Sequence, residues 1–206
     1  MSILMDLIGS IVIASLVMLM GLRFNQTIVE ASHASKAGLN VQEALVDIVQ
    51  SIEYDFRKIG YGLTNPKFAI VVADSEHIQF RADMVDAAGK PRPDGVIDVI
   101  DWYVGPKVHK FPNDSVRTLY RQVNGGTPVG AAGLGVTQFK LKYLNQDGQP
   151  TTVLSQIWII ETTLRVESIY KVQDQVKRDQ DYASMGFAAA FWRQTRLASR
   201  NIKRHG

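Results

Sequence analysis

The side chains best equipped for chemistry are scattered. Four histidines, His33, His77, His109 and His205, fall at spacings that match no metal-ligand pattern, and no HExxH pair is present. The chain has no cysteine, which excludes disulfides and thiolate metal sites and leaves the redox compartment open. No GxSxG elbow, phosphate-binding loop or GxGxxG turn in a βαβ unit appears. The glycine-rich run Gly130–Gly135 lacks the lysine of a phosphate loop, so a plain loop is expected there. Asp83, Asp86 and Asp94 lie in a Pro- and Gly-rich stretch but lack the spacing and closing glutamate of a calcium loop. No enzyme, cofactor or metal is therefore predicted. What remains is Asp6, one acid inside an apolar run. A carboxylate at the bilayer centre costs about 3 kcal/mol on insertion scales and less near the interface. Asp6 is thus expected either to sit at headgroup level or to pair with an amine.

The element that carries Asp6 comes next. Ile3–Leu22 is about 20 residues, roughly 30 Å as a helix, one hydrocarbon thickness. Its apolar residues go all the way round, unlike an amphipathic surface helix. It is too long for a signal-peptide core and lacks a basic n-region and a small-residue cleavage site. No basic residue precedes the span and Arg23 follows it, so the charge bias does not favour an inward N-terminus. Beyond Arg23 the chain turns polar but keeps a helical stripe: Ile28, Ala31, Ala34, Leu39, then Val41, Leu45, Ile48, Ile52, Phe56 and Ile59. The opposite face carries Glu43, Asp47, Glu53, Asp55, Arg57 and Lys58, and is expected to be solvated. Gly38 is a weak point at which a bend is allowed. Arg57 and Lys58 suit the negative helix end, and Gly60 is placed to cap it. One continuous helix from Met1 to Ile59 follows.

After Gly60 the period changes to that of strands. Phe68–Ala73, His77–Ala82, Val96–Val104, Val116–Val123 and Val136–Leu144 read as strands, with Val108–Phe111 a weaker one. Asp83–Gly95 reads as a loop, and Asn124–Gly126 and Asn145–Gly148 as turns. Ser155–Ser168 is the longest apolar run and is expected to be the central strand. Ile169–Gly186 is highly charged and reads as a solvated, mobile loop. The tail could close the domain as a strand or a short helix. The fold class is α+β, a long N-terminal helix packed on an antiparallel sheet. The net charge of +3 is small, its basic excess gathered at Arg193, Arg196, Arg200, Lys203 and Arg204. A basic sheet edge that resists aggregation accounts for that cluster, and nucleic acid is not expected as a partner.

The N-terminal stretch SILMDLIGSIVIASLVMLMGL resembles the mature N-terminus of type IV pilins and pseudopilins. In that family a few apolar residues precede an acid at the fifth position. Without Met1, Asp6 takes that place, with Asp where Glu is typical and Ser2 where Phe is typical. The helix exit, with Asp55, Phe56, Arg57, Gly60 and Tyr61, is similar to that of PilW-type minor pilins and J-type minor pseudopilins. So is the order of the later segments, over roughly residues 2–200. The pair Arg200 and Asn201 matches the basic stretch and asparagine that end the family's closing strand, which favours a strand over about Ala190–Asn201. The resemblance implies a pilin-like architecture. Residues 1–60 would be a transmembrane and assembly helix, and residues 61–206 a globular β-rich domain. It implies a non-enzymatic subunit of a type IV pilus or type II secretion-like filament, with other pilin-like subunits as partners. Asp6 would set register by meeting the N-terminal amine of a neighbour. The location implied is the bacterial inner membrane, single-pass with the C-terminal domain extracytoplasmic, and a cell-surface filament after assembly. The alternative is a membrane-anchored extracytoplasmic binding module that does not polymerise.

Overall fold

The computed structural model describes residues 2–130, 135–173, 185–197 and 201. It opens with a single helix, α1, Ser2–Arg57, of 56 residues, roughly 84 Å at 1.5 Å per residue. No proline interrupts it, since Pro66 is the first in the chain, and it runs through Gly38 without a break.

Among the described residues eight strands follow: β1 Ile70–Ala73, β2 His77–Ala82, β3 Asp98–Lys107, β4 Arg117–Val123, β5 Val129–Gly130, β6 Gly135–Leu144, β7 Ile159–Gln173 and β8 Met185–Leu197. They form one antiparallel sheet in the order β1-β2-β3-β4-β6-β7-β8, with β5 pairing β4 from off that path. The α+β expectation is met. Alternation sets the faces: Ile78, Phe80 and Ala82 of β2, Ile100 and Trp102 of β3, and Phe139, Leu141 and Tyr143 of β6 are buried. Joined by Leu164 and Val166 of β7, they form one core with the rear of α1. The strands β4 and β6 share a single register pair, Arg117 with Val136. Further along β6 the β1–β2 turn takes over: Leu141 N donates to Ser75 O at 2.8 Å, and Tyr143 Oη to Asp74 O at 2.8 Å. Burial first, and then the Asp74 charge, push the Tyr143 hydroxyl well above its ordinary value, so it stays a donor.

Several expectations need correction. Val108–Phe111 is not a strand. It lies in the β3–β4 connection, which Pro112 and a turn with Val116 N bonded to Asn113 O help to close. The long strand begins at Ile159, after a 3-10 turn at Leu154–Gln156. It is not central, lying one place from the sheet's edge. Ile169–Gln173, expected in the loop, belong to β7 instead, where Lys171 pairs with Phe187. The Ser168 hydroxyl makes that extension possible at the bulge before it, accepting the Ala188 amide at 3.1 Å and donating to Tyr170 O at 2.7 Å. The closing strand starts at Met185, earlier than expected. Residues 131–134 of the glycine-rich run and 174–184 of the expected loop lie outside the described residues.

Candidate functional site

Among the described residues nothing buries the front of α1. Every large apolar side chain from Ile3 to Leu22 is more than half exposed, from 51 % at Leu22 to 84 % at Ile3. An apolar surface of this extent, on all sides of a helix, needs a cover other than water. The segment is long and apolar enough to cross a membrane. Its hydroxyls are already satisfied: Ser10 Oγ donates to Leu7 O and Ser15 Oγ to Ile11 O, each at 2.8 Å. Asp6 is exposed and has no hydrogen bond or ion pair among the described residues. A charge one turn from the helix start, in an apolar sleeve, is left for an outside group to meet.

The rear of α1 is held by the sheet. Val41, Leu45, Ile48, Ile52, Phe56 and, past the helix end, Ile59 are all buried, as the spacing predicts, and Ala44 joins them. Ile28 and Leu39, earlier in the stripe, remain 50 % and 61 % exposed. The Phe56 ring meets Phe80 of β2 edge-on, with centroids 6.0 Å apart.

Asp55 belongs to this seat, not to the solvated face where the charge pattern put it. It is 2 % exposed. Its Oδ2 accepts Arg121 Nε at 2.6 Å and Trp102 Nε1 at 2.8 Å, while Oδ1 accepts Arg121 Nη2 at 3.2 Å. Asp55 lies three residues after Ile52 and seven after Ile48, on the flank of the buried stripe. The register explains its partners: Trp102 and Arg121 are paired neighbours on β3 and β4, so both reach the same carboxylate. The fork of the guanidinium suits this two-point contact.

The exit motif is backbone chemistry. Gly60 and Gly62 both have φ of +79°, the left-handed region open to glycine. Between them the chain lies along the end of β2, with Gly60 N donating to Arg81 O and Asp83 N to Tyr61 O, each at 2.9 Å. A methyl group on Gly62 would lie 2.8 Å from Asp83 Cβ. Asp83 in turn holds the following loop, accepting Asp94 N and Gly95 N at 3.0 Å. The Tyr61 side chain is exposed. Arg57 pairs at 2.7 Å with Glu53 on the exposed face, a contact of small energetic weight. Asn201 reaches the same corner: a Cβ on Gly60 would lie 3.8 Å from Asn201 Cβ. Gly60 and Asn201, 141 positions apart in sequence, thus meet at the exit of the helix that Asp55 and Phe56 seat on the sheet. Arg200 lies outside the described residues.

Sequence reasoning missed a polar cluster on the sheet face away from α1. His77 and Gln79 of β2 stand opposite Tyr103 and Asp101 of β3. Asp101 Oδ1 lies 3.0 Å from His77 Nε2 and 3.0 Å from Gln79 Nε2. Tyr103 packs against Tyr120 of β4, with centroids 5.5 Å apart. Beside them Glu76 bridges Arg117 at 2.8 Å and Lys140 at 3.1 Å. Burial alone would raise the Glu76 carboxyl, but Lys140 and Arg117 outweigh it and hold it below the ordinary value of 4.5. The odd-numbered alternation of His77, Gln79, Asp101 and Tyr103 was the available signal. Among the described residues no group of three His, Asp or Glu side chains is placed to hold a metal.

Comparison of the chain with protein-family models, with curated proteins and with solved structures finds no match.

Proposed function

We propose that the chain is a non-enzymatic structural subunit, a pilin-like minor pilin or minor pseudopilin of a type IV pilus or type II secretion-like filament. The observation that carries this reading is the apolar front of α1, uncovered among the described residues, with Asp6 one turn from its start and without a partner among them. In the bacterial inner membrane, lipid covers that surface before assembly, with the sheet on the extracytoplasmic side. In a filament, neighbouring helices cover it. Exchanging lipid for protein gains little from hydrophobicity, because both are apolar. Specificity must come from packing and from a polar pair, and Asp6 meeting the N-terminal amine of a neighbour supplies one. The helix-exit residues would fix the sheet's position on the helix, and the sheet would carry the outward partner surfaces.

Asp6→Ala tests the reading in cells. Membrane insertion and the folded sheet should be retained, while co-assembly with other subunits, measured by crosslinking and filament recovery, should fail. Normal assembly of Asp6→Ala would overturn the role of Asp6 and favour a membrane-anchored binding module that does not polymerise.

A further inference from the structure

We propose that the β1–β2 turn is a strap across a seam in the sheet, and that it lets go before the two leaves it joins come apart. The seam lies between β4 and β6. On one side β1 to β5 form a leaf, and on the other β6, β7 and β8 form a second. Among the described residues the ladder between the leaves has one register pair, Arg117 with Val136. That end is the hinge. Gly135 permits its close approach, since a Cβ there would lie 2.4 Å from the Val116 side chain. Asn113 ties it down, its Nδ2 donating to Glu167 Oε2 at 3.0 Å and to Ser168 O at 3.2 Å. Beyond the hinge the strands part. Strand β5 takes the edge of β4 at Tyr120 and Arg121, and residues 74–76 of the turn meet β6.

The strap grips β6 through the Leu141 amide on Ser75 O and the Tyr143 hydroxyl on Asp74 O, each at 2.8 Å. The Glu76 carboxylate spans the seam itself, 2.8 Å from Arg117 Nη1 of β4 and 3.1 Å from Lys140 Nζ of β6. A ladder would hold this length by regular backbone bonds. Here side chains do most of it, and the ionic link is the weak one. The side chains of Glu76 and Lys140 are 33 % and 49 % exposed, so water and salt screen them. Release frees the Leu141 amide and leaves the seat of α1 in place, because Trp102 and Arg121 keep Asp55 and β7 and β8 keep their packing on the helix. The strap is thus a local opening unit, less stable than either leaf. Burial works against the charge on Glu76, but Lys140 and Arg117 hold the carboxyl below its ordinary value of 4.5. The ionic link is therefore present above about pH 4.5 and lost as pH falls through the lower folded-state value. Asp74 and His77 of the turn region and Asp101 and Tyr103 of β3 face the same depression, so the test must remove the Glu76 charge by itself.

The test is hydrogen exchange, resolved to single amides by mass spectrometry, on the full chain in phospholipid nanodiscs. Leu141 reports the strap. Trp102 of β3 and Leu164 of β7, each paired on both sides, report the leaves. With intrinsic rates divided out, Leu141 should exchange at least about tenfold faster than either at neutral pH. Glu76→Gln keeps the size and removes the charge, and should speed Leu141 by about fivefold. Tyr143→Phe should speed it by about tenfold, the loss of roughly one hydrogen bond. Trp102 and Leu164 should stay within about twofold in both variants. Below about pH 4.5 the native chain should lose protection at Leu141 more steeply than Glu76→Gln. Raising salt to about 1 M should speed Leu141 in the native chain, an arm that needs no variant to fold. Exchange of Leu141 in step with Trp102 and Leu164, or exchange unmoved by Glu76→Gln and by salt, would each overturn the proposal.

Discussion

Asp55→Ala is the sharpest test of how the helix is seated. Asp55 is 2 % exposed and Trp102 1 %. Removing the carboxylate strands the Trp102 indole N–H in the core, a cost of about 1–3 kcal/mol. It also takes the counter-charge from Arg121. Breaking a fully buried pair costs about 3–5 kcal/mol, but the Arg121 side chain keeps 29 % of its surface in contact with water and can turn outward. These bounds meet at a loss of about 3 kcal/mol. For a chain of this size that lowers the melting temperature by roughly 6–12 °C.

The assay is chemical denaturation of the full chain in nanodiscs, followed by tryptophan emission. Asp55→Asn keeps an acceptor for Trp102 and should cost about half as much. Replacing the pair together, as Asp55→Leu with Arg121→Met, should recover most of the loss, since an apolar pair removes both desolvation penalties. The cycle of Asp55→Ala and Arg121→Ala should show coupling of at least about 1 kcal/mol. A loss below about 1 kcal/mol for Asp55→Ala, or additivity within about 0.5 kcal/mol, would refute the reasoning.

Gly62→Ala should cost about 2–3 kcal/mol in the same assay, from the left-handed backbone and the approach to Asp83. Gly148→Ala, at φ of +77° in open space, should cost only about 1 kcal/mol, so the difference measures the contact. For Asp98, burial alone would raise the carboxyl, but the Met84 and Val85 amides and the Asn124 side chain hold it below its ordinary value of 3.8. Its stabilisation is therefore present above about pH 4 and lost as pH falls through the lower folded-state value. Acid titration of Asp98→Asn should show a shallower loss of stability below about pH 4 than the native chain. Ile28→Gln with Leu39→Gln should leave stability within about 0.5 kcal/mol, and crosslinking between subunits should fall if that face packs against neighbours.

What could be read from the sequence was periodic. The stripe from Val41 to Ile59 and the alternation of Ile78, Phe80 and Ala82 each specify a buried face from local spacing alone. Gly60 was legible as a left-handed residue because it follows the last stripe residue. Contacts made across long separations were not legible. Asp55 looks solvated in any local window, and only the pairing of β3 with β4 brings Trp102 and Arg121 to it. The polar cluster at Asp101 needs the β2–β3 register in the same way. The extension of β7 past Ile169 defied composition because pairing with β8 outweighs a charged, weakly patterned stretch.

The lengths along α1 bear on the choice between filament subunit and simple anchor. The part of α1 seated on the sheet, Val41–Arg57, is 17 residues, roughly 26 Å, and a membrane span needs about 20 residues. Between Leu22 and Val41 lie a further 18 residues, roughly 27 Å of helix, that neither the sheet nor a bilayer core would cover. An anchor has no use for this stretch, and a polar linker would join the two parts at less cost. Yet the stretch carries Phe24, Ile28, Val29 and Leu39, which are 47–68 % exposed, beside polar residues such as Asn25, Gln26 and Lys36. An isolated helix exposing these side chains gains nothing from them, whereas a helix lying against like neighbours buries them. The filament reading gives these four side chains a cover, and the anchored-module reading leaves them without one.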